Sequence, residues 1–175
     1  MMVDTHCHLA SDRYNTPVEE IINSAKKVGV EKFITVGTSL DSNIRNQKVA
    51  NKHDSIFFSA GVYPHENMNL ELSEIETRFK DQVDSMPNLV AIGECGIDIT
   101  NRPNQRNIED QIELFEMQIK VAKEKNLPII IHNRNGDKEI LNILNKHKDK
   151  NLRGVAHTFT SNWETAKKLL DLNFL

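Results

Sequence analysis

The sequence predicts an α/β fold: a TIM-type (β/α)8 barrel, incomplete, carried through about six βα units and the start of a seventh. Three observations predict it. Short β-rich apolar runs alternate with amphipathic helical patterns, the signature of a parallel sheet. The strand-plus-helix unit recurs roughly every 25–30 residues, as βαβ modules do. Histidines and one acid stand where the apolar runs end, the rim at which such barrels keep their chemistry. The 175 residues make one domain, 1–175, and a whole barrel of this type needs about 250. The C-terminal strands are therefore expected to be missing.

The first strand is Val3 to Leu9. The first helix has an explicit start: Thr16 as N-cap, Pro17 at the first helical position and Glu19 completing a capping box. Val18, Ile21, Ile22, Ala25 and Val28 form its apolar stripe, and Gly29 is placed to stop it. Strand two is Lys32 to Gly37, with a weaker helix after Asp41 or Ser42. Strand three, Ile56 to Gly61, leads into Val62-Tyr63-Pro64-His65 and a helix carrying Leu72, Ile75, Phe79 and Val83. Strand four is Leu89 to Glu94. A long loop precedes the helix of Ile108, Ile112, Phe115, Ile119 and Ala122. Strand five is Pro128 to His132, and its helix carries Ile140, Leu141 and Leu144. Strand six is Gly154 to His157. Ser161 and Glu164 form a second capping box for a helix through Trp163, Ala166, Leu169 and Leu170. Asn173-Phe174-Leu175 reads as the opening of a seventh strand.

Composition narrows the function. A net charge of −3 argues against a broad basic surface for nucleic acid. A phosphodiester substrate would need a local site, which bound cations supply. No apolar run approaches the ~20 residues of a membrane span, and no early apolar segment marks a secretion signal. The two cysteines form no C-x-x-C pair. The expected setting is the reducing cytoplasm, with no membrane contact.

The chemistry lies at the strand ends. His6 and His8, two residues apart on a strand, project from one face while Cys7 points the other way. Glu94 ends strand four, His132 strand five and His157 strand six. Four imidazoles and a carboxylate thus converge on one mouth. That set suits a divalent or dinuclear metal centre. Glu94 can bridge two ions about 3.5–4 Å apart, lowering the pKa of a bound water, so no serine or cysteine nucleophile is needed. Cys7 and Cys95 each neighbour a proposed ligand, face away from it and read as small buried hydrophobes. A carboxylate ending an apolar strand is costly unless paired or metal-bound. Arg134, two residues past His132, either clamps a phosphate or stands solvated. His65, in a Pro-containing loop, reads as a surface residue or a support behind the ligands. It joins Arg134 as a candidate for substrate binding. His53 and His147 are assigned no role.

The motifs V-D-T-H-C-H-L at 3–9, G-V-Y-P-H at 61–65, I-G-E-C-G-I-D at 92–98, L-P-I-I-I-H-N-R at 127–134 and G-V-A-H-T-F at 154–159 resemble those of the TatD-type metal-dependent deoxyribonucleases, in the amidohydrolase-like superfamily. Gln111, Phe115 and Gln118 agree with the family's Q-x-x-x-F-x-x-Q pattern. The resemblance covers the whole chain. It implies a two-metal hydrolase of this barrel fold, holding Mg2+, Mn2+ or Zn2+ and usually acting on DNA. By motif position His6 and His8 hold one ion, Glu94 bridges and is catalytic, and His132 and His157 hold the other. Arg134 lies near the substrate phosphate. The chain departs from the family at Tyr63, where a histidine is usual, and at Ala10 and Ile99. It also stops before the eighth-strand aspartate that members use as a ligand. Two other readings follow: an inactive remnant or segment of a longer or split protein, self-associating through exposed sheet edges, and a relative acting on amide or ester bonds.

Overall fold

The computed structural model describes residues 1–175. Six parallel strands pair in chain order, each followed by a helix. The strands are β1 (Met2–Cys7), β2 (Val30–Thr35), β3 (Ile56–Ala60), β4 (Leu89–Asp98), β5 (Ile129–Arg134) and β6 (Gly154–Ala156). The helices are α1 (Val18–Lys27), α2 (Leu40–Ala50), α3 (Leu72–Asp84), α4 (Ile108–Glu124), α5 (Asp137–His147) and α6 (Trp163–Leu170). Parallel neighbours in sequence order, with no crossover, make the wall of a (β/α)8 barrel, so the predicted incomplete barrel is what forms. Residues 173–175 begin to pair beside β6: Gly154 bridges Phe174, and the Leu175 amide donates to the Gly154 carbonyl at 3.0 Å. No helix is long and apolar enough to cross a membrane.

The strands divide their side chains between two layers, as their alternation requires. Ile92, Cys95, Ile97, Ile129 and Ile131 pack with Phe79, Leu114, Phe115 and Leu144 of the helices. Val36, Ala91 and Ile130 form a separate small cluster on the opposite face. Two glutamines on α4 tie the helix layer to the rim. Gln118 Oε1 accepts from the Val62 amide at 2.8 Å, and its Nε2 donates to the Val62 carbonyl at 2.9 Å. Gln111 does the same for the Asp98 amide and carbonyl, at 2.9 and 3.2 Å. A buried side-chain amide that completes both backbone bonds of one residue fixes that residue's position.

Several element limits differ from expectation. α1 begins at Val18, with Pro17 extended (φ −55°, ψ 142°) and no side-chain cap. The Pro17 carbonyl accepts the first helical bonds, so Thr16 lies one residue too far back to cap. α2 starts earlier than predicted, behind a reciprocal Ser39–Ser42 capping box. α6 is capped by Asn162, which accepts from the Thr165 amide at 2.9 Å. Ser161 instead donates to Asp137 Oδ1 at 2.6 Å. β1 stops at Cys7 and β6 at Ala156, which leaves His8 and His157 just past the strands. β4 runs on beyond Glu94 to Asp98, because its ladder to β5 continues through Gly96–His132 and Asp98–Arg134.

Asp137 ties α5 to α6, accepting from Asn133 Nδ2 (2.6 Å), Ser161 Oγ (2.6 Å) and Thr165 Oγ1 (3.1 Å). Burial opposes its ionisation, but the bonds from Ser161, Asn133 and Thr165 outweigh that and hold its carboxyl below the ordinary 3.8. A depressed folded pKa gives stability that is full above the unfolded value and lost as pH falls through the folded one. Asp137→Asn is expected to lower Tm at neutral pH and to flatten the decline in Tm below about pH 4. Thermal melts across that range, followed by circular dichroism, check it.

Candidate metal centre

A one-residue irregularity in β4 aims Glu94 at the centre. Ile92 pairs with Ile129 and Cys95 with Ile131, with a register shift between them. Ile92 and Cys95 both join the helix-side core, although strict alternation over three positions would put them on opposite faces. The extra residue, a β-bulge in effect, carries Glu94 inward while Cys95 stays behind the sheet. The Glu94 amide donates to the Gly37 carbonyl at 2.7 Å, anchoring the bulge to the loop just past β2.

Glu94 is 5% exposed and its two oxygens face different histidines. Oε1 lies 2.9 Å from His132 Nδ1 and 2.9 Å from His157 Nε2. Oε2 lies 3.2 Å from His6 Nε2 and 3.9 Å from His8 Nε2. Two groups able to hold an ion result: His6, His8 and Glu94, and Glu94, His132 and His157. The His6 and His157 rings stack at 4.0 Å between centroids, so the groups abut. Burial disfavours the Glu94 carboxylate, yet hydrogen bonds from His132 and His157, with His6 beside them, hold its pKa well below the usual carboxyl range.

The donor set fits divalent cations. Both ring nitrogens of His6 are buried without a hydrogen-bond partner. Such orphaned groups are costly unless something else satisfies them. His8 donates from Nδ1 to the Val36 carbonyl at 3.2 Å, which leaves Nε2 as a free lone pair toward Glu94. Burial lowers the His8 pKa despite the pull of Glu94, favouring the neutral, ligating form. Neutral imidazole and carboxylate suit zinc and manganese alike.

Sequence reading missed Asp98, which ends β4 and is 1% exposed. His132 turns Nδ1 to Glu94 and Nε2 to Asp98 Oδ2, 3.4 Å away. Asp98 is itself held by the Tyr63 hydroxyl, by Thr100 Oγ1 at 2.5 Å and by Arg102 Nη2 at 2.6 Å. Tyr63 OH also lies 3.3 Å from His132 Nε2, and burial and Asp98 push its pKa upward, keeping it a donor. A carboxylate behind a ligating imidazole fixes its tautomer and raises its basicity. The spacing Glu94-x-Gly96-x-Asp98 was the available signal, since alternate residues share a face. Asp98→Asn is expected to weaken metal binding about 10- to 100-fold, as read by isothermal titration with Zn2+ or Mn2+.

The remaining candidates lie apart from the centre. His65 Nδ1 accepts from the Arg106 amide at 3.2 Å and Nε2 donates to the Asp98 carbonyl at 3.1 Å, so both its nitrogens serve the backbone. Arg134 ends β5 opposite Asp98 and is exposed. Cys7 packs on the α1 side with its thiol 3.2 Å from the Ile34 carbonyl, and burial pushes its pKa up to about 12. Cys95 is fully buried, its pKa likewise raised by burial. Neither is a nucleophile. His53 sits 3.5 Å from Glu19, and His147 3.6 Å from Glu116, both away from the site.

Comparison with known proteins agrees with this arrangement. The model of the family described as TatD related DNase matches residues 3–175. An uncharacterized metal-dependent hydrolase of Bacillus subtilis, YabD, is 33% identical over 99% of this chain and 67% of its own length. The 3′-5′ ssDNA/RNA exonuclease TatD of Escherichia coli is 30% identical over 93% of this chain and 61% of its own. Among solved structures, the TatD homologue YJJV of E. coli superposes with a TM-score of 0.89 at 25% identity, over 98% of this chain and 65% of that one. The chain thus spans about two thirds of the length of these relatives. With the match running unbroken through every strand that carries a candidate ligand, the chain belongs to the TatD-related DNase family.

Proposed function

We propose that this chain carries the metal centre of a phosphodiesterase acting on DNA, with Glu94 bridging two divalent ions. The observation that carries the reading is the split of one carboxylate between two histidine sets, Oε2 toward His6 and His8 and Oε1 toward His132 and His157. Bound divalent cations supply an activated water and neutralise charge on the phosphate. The protein's part is geometric and electrostatic. His8 is held as the neutral tautomer with Nε2 free. His132 is oriented from behind by Asp98. Glu94 stays ionised throughout the neutral range, and its low pKa leaves it no proton to give. No side chain at the centre is a nucleophile, so water is the attacking group. The family and the E. coli TatD relative favour nucleic acid as the substrate, and Arg134, exposed at the end of β5, is a candidate to bind its phosphate.

The test is cleavage of single-stranded DNA with Mg2+, Mn2+ or Zn2+, set against the Glu94→Ala, His132→Ala double variant. Metal-dependent cleavage above that variant is expected. Equal rates under every metal refute the reading. Turnover of small esters without DNA cleavage would move the function to ester or amide bonds.

A further inference from the structure

Beside Glu94 and His8 opens a cleft of about 580 Å3 whose lining includes Arg13, Tyr14, Arg45 and Arg102. The chain's arginines differ in what they hold. Arg102 is committed to Asp98 and Thr100, and Arg78 to Glu74. Arg106 and Arg153 donate to backbone carbonyls. Arg13 and Arg45 are exposed, and neither guanidinium has an ion pair or hydrogen bond. The Arg13 backbone amide donates to Ser11 Oγ, and the Arg45 backbone lies within α2. Two uncommitted guanidinium groups therefore share one cleft with the metal centre. They come from adjacent parts of the wall, Arg13 from the loop after β1 and Arg45 from α2, which follows β2.

We propose that Arg13 and Arg45 hold phosphates flanking the scissile one, and that Tyr14 stacks an adjoining base. The cleft is then a subsite for single-stranded nucleic acid. The inference rests on the phosphodiesterase reading for what is cleaved, and adds which residues grip the strand. The chain carries a net charge of −3, so attraction for a polyanion must be local. The guanidinium fork matches phosphate oxygens in pairs. Tyr14 is 50% exposed beside Arg13, and an exposed ring offers a stacking face to any base freed from a helix. The cleft's volume lies within the about 300–1,000 Å3 of small-ligand sites, room for a nucleotide. Glu66 and Glu94 are the acids among the lining residues.

The experiment measures binding of a fluorescein-labelled, phosphorothioate-linked decathymidylate to the metal-loaded protein over a range of salt. The linkage resists cleavage, so binding is read alone. The Arg13→Ala, Arg45→Ala double variant is expected to bind more weakly. Its plot of log K against log salt should flatten by about 1.4, about 0.7 for each phosphate of a single strand that the variant no longer neutralises. Tyr14→Ala is expected to lose about tenfold in affinity with the salt slope kept. Arg78→Ala, on α3, should match the wild type. Wild-type affinity and slope in the double variant overturn the proposal, as does equally good competition by unlabelled duplex. Hydrolysis of bis(p-nitrophenyl) phosphate by the wild type tests the phosphodiesterase reading separately. If that is absent while the double variant still loses binding, the hydrolytic reading falls and the subsite is upheld.

Discussion

Replacing Glu94 with glutamine is expected to abolish paired metal binding and to cut any hydrolytic rate by about 100- to 1,000-fold, the cost of removing one preorganised electrostatic element. Glutamine keeps the volume but offers one neutral oxygen and an NH2 group. Whichever way the amide turns, one histidine pair faces a donor where it now faces an acceptor. His132 and His157 would lose Oε1, or His6 and His8 would lose Oε2. Titration calorimetry with Zn2+ is the direct measurement: the wild type should take up two ions and Glu94→Gln at most one, weakly. Unchanged two-site binding in Glu94→Gln would sink the bridging arrangement. Folding should survive, because the carboxylate serves the histidines and adds no apolar packing.

Gly96→Ala is expected to destabilise the protein by about 3 kcal/mol, through a strained backbone and an overpacked strand pair. Gly96 has φ +146°, a conformation L side chains rarely adopt. A Cβ there would meet the carbonyl of His132, its direct partner on β5. β4 and β5 must then part where the candidate ligand His132 sits. A fall in Tm on the order of 10 °C is expected for a chain of this size. Metal affinity should fall at the Glu94, His132 and His157 group, with the His6 and His8 group less affected because it stands on β1 and the loop beyond it. An unchanged Tm, or equal losses at both groups, would contradict this packing.

The residues that form the centre were legible because strand ends interrupt apolar runs. An imidazole or carboxylate closing such a run stands out against Val, Ile and Ala. His6, His8, Glu94, His132 and His157 all stand out in this way, and the structure gathers the four histidines around the Glu94 carboxylate. Asp98 does not stand out in the same way, because the apolar run ends at Glu94. Backbone pairing to β5 is indifferent to side-chain polarity and carried β4 further. Arg13 and Arg45 lie on a loop and a helix with no periodic signal. What marks them out is the lack of a partner together with a place in the cleft beside Glu94, properties of the surrounding structure and not of the residue type.

From the sequence alone came the class of fold, the order of strands and helices and the identity of the five converging side chains. These depend on hydrophobic period and residue chemistry, which are local. Tertiary structure alone decided which way Glu94 points, since the extra residue between Ile92 and Cys95 inverts the alternation that a sequence reading must assume. It also decided that His132 leans on Asp98 and Tyr63, and that His65 serves the backbone. Those outcomes turn on register and on contacts between distant segments, and neither is written in the spacing of any one stretch.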